Sequence, residues 1–329
     1  MALPVTMYRW DDPGAPQITE GRPSEFINVF KKCLVEGYGD KQPLGWQIQF
    51  EGALNQVSFV NDIATGGSGG SYVLKSENGA DEIGEKVIIQ CCQSFVDFDN
   101  LVQASPKSTY KMKGGTFGYD LFPEWLVIGT SNAFYFITKM TNQTSVSSLN
   151  YLYYPAFFVG DFDKIIPSDQ NRFILFGGYN GLNDHTNPGS SEYLSGQLVD
   201  SGSSSSIKGY TLESPPNFWF FTVRNLFGVG GNSIKNDTAK RETPEITFMS
   251  PSYIFNSYSD THHETRAVNY NSATNPVVRG IMPGLFASQE VGYFNEPLYF
   301  IKSINNQLHL NLPSTGDRAS AVWINLEQW

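Results

Sequence analysis

The sequence predicts a mainly β protein, with antiparallel sheets packed in a sandwich- or barrel-like way, one short N-terminal helix and long loops. Three observations predict it. Short apolar runs rich in aromatic and β-branched residues recur along the chain between turn residues, as buried strands do. Glycine (31) and proline (18) are plentiful among the 329 residues, which suits a chain with many turns. Helical periodicity is confined to one stretch, and charged residues make up 16% against about 25% in an average domain.

The central sheet is expected between Trp125 and Gly178. Trp125–Ile128, Phe134–Ile137 and Phe173–Phe176 are uninterrupted apolar runs, and Tyr151–Val159 is a fourth, broken by Pro155. No charge falls inside them. The block contains no histidine and no phosphate loop, so it reads as architecture rather than chemistry.

Taken in order, residues 1–22 alternate weakly and turn at Asp12-Pro13-Gly14, an arm expected to order on contact with a neighbour. Pro23 and Ser24 open the helix, with Ser24 as the N-cap. Phe26, Ile27, Phe30, Cys33 and Leu34 form its apolar stripe, and Gly37 ends it. In WQIQFEG, Trp46, Ile48 and Phe50 are expected on one face of a half-buried strand. VSFVND (57–62), YVLKSE and KVIIQCCQSF are further strands. GGSGGS (66–71) lacks the lysine and spacing of a phosphate loop and reads as a flexible hairpin tip or linker. Residues 179–209 are polar and low in complexity, an expected long exposed loop with SGSSSS its most mobile part. NFWFFTVRNLF, EITFMSPSYIF, PVVRGIMPGLF, PLYFIKSI, QLHLNLP and AVWINLEQW supply the remaining strands, the last a closing strand with two tryptophans. The working division is 1–110, holding the arm, helix and a β region, and 111–329, holding the central and C-terminal β region. One continuous domain is the alternative.

The net charge of −10 argues against nucleic acid as a partner, because phosphate neutralisation needs clustered Lys and Arg. No apolar run approaches the roughly 20 residues of a membrane helix, and the N-terminus does not read as a signal peptide. Without a secretory signal, the N-x-T sequons at Asn142 and Asn236 carry no argument. The three cysteines, Cys33, Cys91 and Cys92, are an odd set without metal spacing. They are expected as buried, reduced thiols, which fits folding in a reducing cytoplasm.

Candidate chemistry is sparse. Asp161, Asp163 and Asp169 lie close in sequence and invite a Ca²⁺ site or a glycosidase pair. Asp161 and Asp163 would be the pair, although loop-capping roles fit the intervening Pro and Ser better. His262-His263-Glu264 invites a metal, but adjacent histidines on a strand point to opposite faces and no third ligand stands at a telling distance. His185 and His309 do not group with the cysteines. No nucleophile motif is present. The expectation is therefore no catalytic, cofactor-binding or metal residues, and no cofactor.

Several passages together resemble structural proteins of tailed bacteriophages. YRWDDPGAPQI, a helix and CLVEGYGDKQPLGW resemble the N-terminus of that group. WLVIGTSNAFYFIT and FFVGDFDKIIPSDQNRFILFG are similar to its middle section. VVRGIMPGLF resembles its RG-x-x-PGL-x segment. The likeness touches both ends and the centre; the loops at 66–71 and 200–206 look like local elaborations. The resemblance implies a non-enzymatic virion component, tail-, baseplate- or neck-associated, assembled in the host cytoplasm. Its partners would be copies of itself and neighbouring virion proteins, with no membrane. The alternatives are a peripheral receptor- or glycan-binding or capsid-decorating protein, with host-surface glycan as the partner, and a tail-borne glycan hydrolase.

Overall fold

The computed structural model describes residues 2–52, 55–105, 107–112, 123–139, 156–167, 169, 172–177, 192–193, 206–210, 218–224, 249–256, 278–288, 300–312 and 321–329. Among them are twenty strands in two sheets. The strands are β1 (Thr6–Arg9), β2 (Gln47–Gly52), β3 (Gln56–Val60), β4 (Ser71–Ser76), β5 (Lys86–Phe95), β6 (Leu101–Ala104), β7 (Ser108–Lys111), β8 (Glu124–Gly129), β9 (Ala133–Lys139) and β10 (Ala156–Asp161). They continue as β11 (Asp163–Lys164), β12 (Phe173–Gly177), β13 (Glu192–Tyr193), β14 (Ser206–Tyr210), β15 (Phe218–Arg224), β16 (Met249–Asn256), β17 (Val278–Ser288), β18 (Ile301–Ile304), β19 (Gln307–Leu312) and β20 (Ala321–Asn325). The larger sheet runs β1-β8-β9-β10-β12-β14-β15-β16-β17-β20-β19-β18, with β11 beside β17; the smaller runs β13-β7-β5-β4-β3-β2, with β6 beside β5. Pairing is antiparallel except between β13 and β7. The protein is mainly β and sandwich-like, as its sequence predicts.

The predicted central block is β8, β9, β10 and β12, and its alternation shows why the runs are continuous. Trp125, Val127, Phe134, Phe136, Phe157, Val159, Phe173 and Leu175 enter one buried cluster. Leu126, Ile128, Tyr135, Ile137, Phe158, Ile174 and Phe176 enter another. Both faces of these strands are therefore covered, so no polar alternation is needed. The first cluster lies between the block and the smaller sheet, and it draws residues from both sides of the 110/111 division. The second lies between the block and β16, β17, β19 and β20 of the same large sheet, which folds back on itself. A further seam completes this layer. Leu3 donates to the Trp329 carbonyl (2.7 Å), Trp329 to Leu3 (3.1 Å) and Val5 to Glu327 (3.0 Å).

The helix, α1 (Pro23–Phe30), is wedged between the sheets and continues as a π-helical turn over 31–36. Phe26 stacks on Tyr110 (5.1 Å between centroids) and meets Phe136 edge-on (5.4 Å). Phe30 meets Tyr72 on one side (5.4 Å) and Phe136 on the other (5.1 Å). The expected stripe of Phe26, Ile27, Phe30, Cys33 and Leu34 is buried in full, joined by Val29, and its two phenylalanines touch both sheets. Ser24 is not the N-cap: it lies inside the first turn and donates to Asp81 through its backbone N–H (2.8 Å) and hydroxyl (2.6 Å). The Glu25 carboxylate takes the capping role, accepting from the backbone N–H groups of Thr19, Glu20, Gly21 and Arg22.

The arm differs from expectation. Residues 6–9 pair with β8, Tyr8 is fully buried, and the Trp125 indole donates to the Pro16 carbonyl (3.1 Å). The Asp12 turn docks on the turn after the helix: Tyr38 Oη donates to Asp12 Oδ2 (3.0 Å). A Cβ on Gly39 would lie 2.3 Å from the Pro13 carbonyl oxygen, at a φ of +51°, so only glycine closes this joint. Tyr8, Ala15 and Ile18 of the arm enter the core shared by the two sheets. The loop expected over 179–209 is also interrupted, by β13 and by β14 at its C-terminal end; the rest of it, with Ser201–Ser205, lies outside the described residues.

Candidate functional site

The carboxylates singled out in the sequence leave β10 in succession and go to three different places. Asp161, the last residue of β10, is 5% exposed. Its Oδ1 accepts the Ser68 hydroxyl (2.5 Å); its Oδ2 accepts the Ser68 N–H (2.7 Å) and Asn61 Nδ2 (3.1 Å), with an Arg172 guanidinium nitrogen 3.4 Å away. Burial pushes this carboxyl up from its ordinary range, while Arg172 and the donors from Ser68 and Asn61 oppose the rise. Both oxygens are committed to the 66–71 loop and its supports.

That loop is no loose tip. Gly67 N–H donates to the Asp62 carbonyl (2.9 Å) and Gly69 N–H to Asn61 Oδ1 (2.8 Å), and Arg172 holds the Gly66 carbonyl. A Cβ on Gly70 would lie 2.1 Å from the Phe173 ring, so the absent side chain is what allows the loop to lie on β12. The glycines serve close approach rather than flexibility.

Asp163 pairs with Ile281 through β11 and is exposed. Burial raises the Asp163 carboxyl as well, opposed by Arg172, but unlike Asp161 it is not covered by the 66–71 loop. Asp169 is 1% exposed and accepts from Arg279 Nε (3.0 Å) and a terminal guanidinium nitrogen (2.5 Å), Arg279 being equally buried. Burial draws the guanidinium down from its ordinary value and the Asp169 charge opposes this. Arg279 also lies over the Phe162 ring, 5.2 Å from its centroid. The pair fastens the 162–172 connection to β17. The sequence signals both partners only as isolated charges far apart in the chain.

No group of three or more His, Cys, Asp or Glu side chains with metal-holding geometry occurs among the described residues. His262, His263, Glu264, His185, Asn142 and Asn236 lie outside those residues. Cys33, Cys91 and Cys92 are buried and unbridged. Cys91 and Cys92, neighbours on β5, enter two different clusters on opposite faces. Burial pushes the Cys92 thiol up to about 12 and the other two well above their ordinary value, the reverse of an activated thiolate. Among the described residues, no helix is long and apolar enough to cross a membrane.

No family model matches the chain, and no curated protein matches it.

Proposed function

We propose that this chain is a non-enzymatic structural component of a tailed-bacteriophage virion, tail-, baseplate- or neck-associated. It works through interfaces with copies of itself and with neighbouring virion proteins, and it assembles in the host cytoplasm. One observation carries the reading: the passages that resemble phage structural proteins are the joints of the fold. Tyr8, Asp12 and Pro16 of the first passage meet Tyr38 and Trp125 of the second and third. Asp169 of the third meets Arg279 of the last. Residues used in this way maintain a shape, which is what a virion subunit contributes. The buried, unbridged thiols suit a reducing compartment.

The glycan-binding alternative needs exposed aromatic platforms; among the described side chains, Trp46, Trp125 and Trp323 are 2% exposed or less, and Trp10 and Trp329 are partly exposed. The hydrolase alternative needs Asp161 free to meet a substrate, and both its oxygens are held by Ser68, Asn61 and Arg172. Mass spectrometry of particles purified from the cells that encode the chain tests the proposal, with light scattering of the isolated protein over a range of concentrations. We expect the chain at stoichiometric copy number in the particles. Its absence from them overturns the proposal.

A further inference from the structure

The outer face of the β17–β20–β19 layer carries a small cluster apart from the two main ones, built on Trp323 and Ile304 with Phe286 and Phe300. His309 lies on this face, 1% exposed, with its ring 6.0 Å from that of Phe286. Its Nδ1 stands 2.9 Å from the Gln307 carbonyl. A carbonyl only accepts, so Nδ1 holds the proton and Nε2 is the bare nitrogen of a neutral ring. Nε2 is buried and has no hydrogen-bond partner among the described residues. A proton added there would create a buried N–H without an acceptor and a charge without solvent.

Gln307 links the ring to the terminal seam through two separate groups: its carbonyl meets the ring, and its side chain accepts from Asn325 Nδ2 (2.9 Å). Asn325 Oδ1 accepts the N–H groups of Glu327 (2.8 Å) and Gln328 (3.2 Å), and the Asn325 carbonyl accepts the Trp329 indole (2.8 Å). Glu327 Oε1 accepts the N–H of Leu308, the residue before the histidine (3.0 Å). Residues 327–329 then pair with residues 3–5. The charged groups around the ring, among the described residues, are Lys302, directly across from it on β18, and Glu327 on the C-terminal segment. On β20 the residue opposite is the neutral Asn325, and β17 contributes the Phe286 ring.

We propose that His309 is a proton-sensitive pin for the seam between residues 3–5 and 327–329, holding it closed while the ring is neutral and loosening it on acidification. Lys302 stands opposite the ring in register, and Glu327 favours the imidazolium from the position where it holds the Leu308 N–H, offsetting only part of the cost of burial. The rest of that cost is relieved when the C-terminal segment opens and Nε2 reaches solvent. The sign follows from linkage. Burial holds His309 below its ordinary value, opposed by the Gln307 carbonyl and Glu327. The seam's stability is therefore full above the unfolded value of about 6.5 and falls as pH drops through and below it. The inference does not depend on the proposed function.

Hydrogen exchange read by mass spectrometry, corrected for intrinsic rates, tests it on the full chain at about pH 8 and about pH 5, either side of histidine's ordinary range. Peptides covering 2–9 and 321–329 should open more at the lower pH, by up to about tenfold per pH unit once the ring titrates. Peptides from β8 and β9 should not change together with them. His309→Gln should abolish the acid response. Glu327→Gln, which keeps the ring and an acceptor for Leu308, should leave the onset unchanged and carry the loss of protection further toward low pH, enlarging it. Equal protection of the terminal peptides at both pH values overturns the proposal, as does a wild-type response in His309→Gln. Should that variant not fold, a response in Glu327→Gln no larger than that of the wild type, followed to about pH 4, overturns it instead.

Discussion

The central block and the smaller sheet are built from similar residue types but are read differently by their surroundings. Strands β8, β9, β10 and β12 have cores on both sides, and Phe134 and Phe136 are fully buried although they alternate with Tyr135, which serves the opposite core. The smaller sheet has one face in the shared core and the other only partly covered. There Val57, Phe59, Tyr72 and Leu74 point inward, while Phe50 is 48% exposed. The same side chain, phenylalanine, is a keystone in one sheet and a surface residue in the other. Hydrophobicity marks both as strand residues; only the number of covered faces decides what each contributes.

The largest effect that sharpens this contrast is expected at Phe134. It touches Phe30, Trp46 and Tyr72 with ring centroids 5.5 Å from each, joining the helix, the loop before β2 and the smaller sheet to β9. Phe134→Ala should cost about 3–5 kcal/mol by chemical denaturation, the range for large cavities in well-packed cores. A loss below about 1 kcal/mol would mean that the two sheets do not share this core. Asp169→Ala should come next at about 3 kcal/mol or more, because it removes the carboxylate that faces the buried Arg279 guanidinium. Asp169→Ala combined with Arg279→Met should recover most of that loss; if the double variant is no better than the single, the buried charge is not the cause.

Gly70→Ala should rank third. The added methyl must displace the Phe173 ring or lift the loop from Asp161, an overpacking cost of about 1–3 kcal/mol, and denaturation midpoints measure it. Gly66→Ala makes a useful contrast: nothing lies within 4 Å of its Cβ position and its φ is +96°, so its cost is backbone strain alone, about 1 kcal/mol.

The same contrast explains what was legible in the sequence. The central runs could be read because two-sided burial removes polar residues altogether, and that pattern survives any tertiary detail. The closing strands from Val278 onward were legible as short apolar runs even though Arg279, Lys302, His309 and Asn311 stand inside them. Strands β1, β6, β7, β11, β13 and β14 were not, since short strands of mixed polarity take their place from partners distant in sequence. The loop at 66–71 was misread because glycine spacing alone does not distinguish a chain that must move from one that must approach closely. Its purpose lies in Phe173 and Asp161, about a hundred positions on. Asp161, Asp163 and Asp169 are near in sequence, but the residues they meet, Ser68, Ile281 and Arg279, are not, so their places could not be read locally.

The smallest effect is the most informative about β2. Simple alternation places Phe50 beside Trp46 and Ile48 on the inner face, and the structure places it outside. The cause is a bulge: Ile48 pairs with Phe59 and Phe50 with Ser58, so Gln49 is an extra residue in β2. One inserted residue reverses the facing of every later residue in the strand. Phe50 then packs on Phe95 at 4.9 Å between centroids, on the outer side of the sheet. Phe50→Ser should therefore shift stability by no more than about 1 kcal/mol, a value for a half-exposed side chain rather than a core one. An inward Phe50 would instead give a loss like that of Phe134→Ala. A loss of that size by denaturation would reject the bulge and return Phe50 to the face that simple alternation predicts.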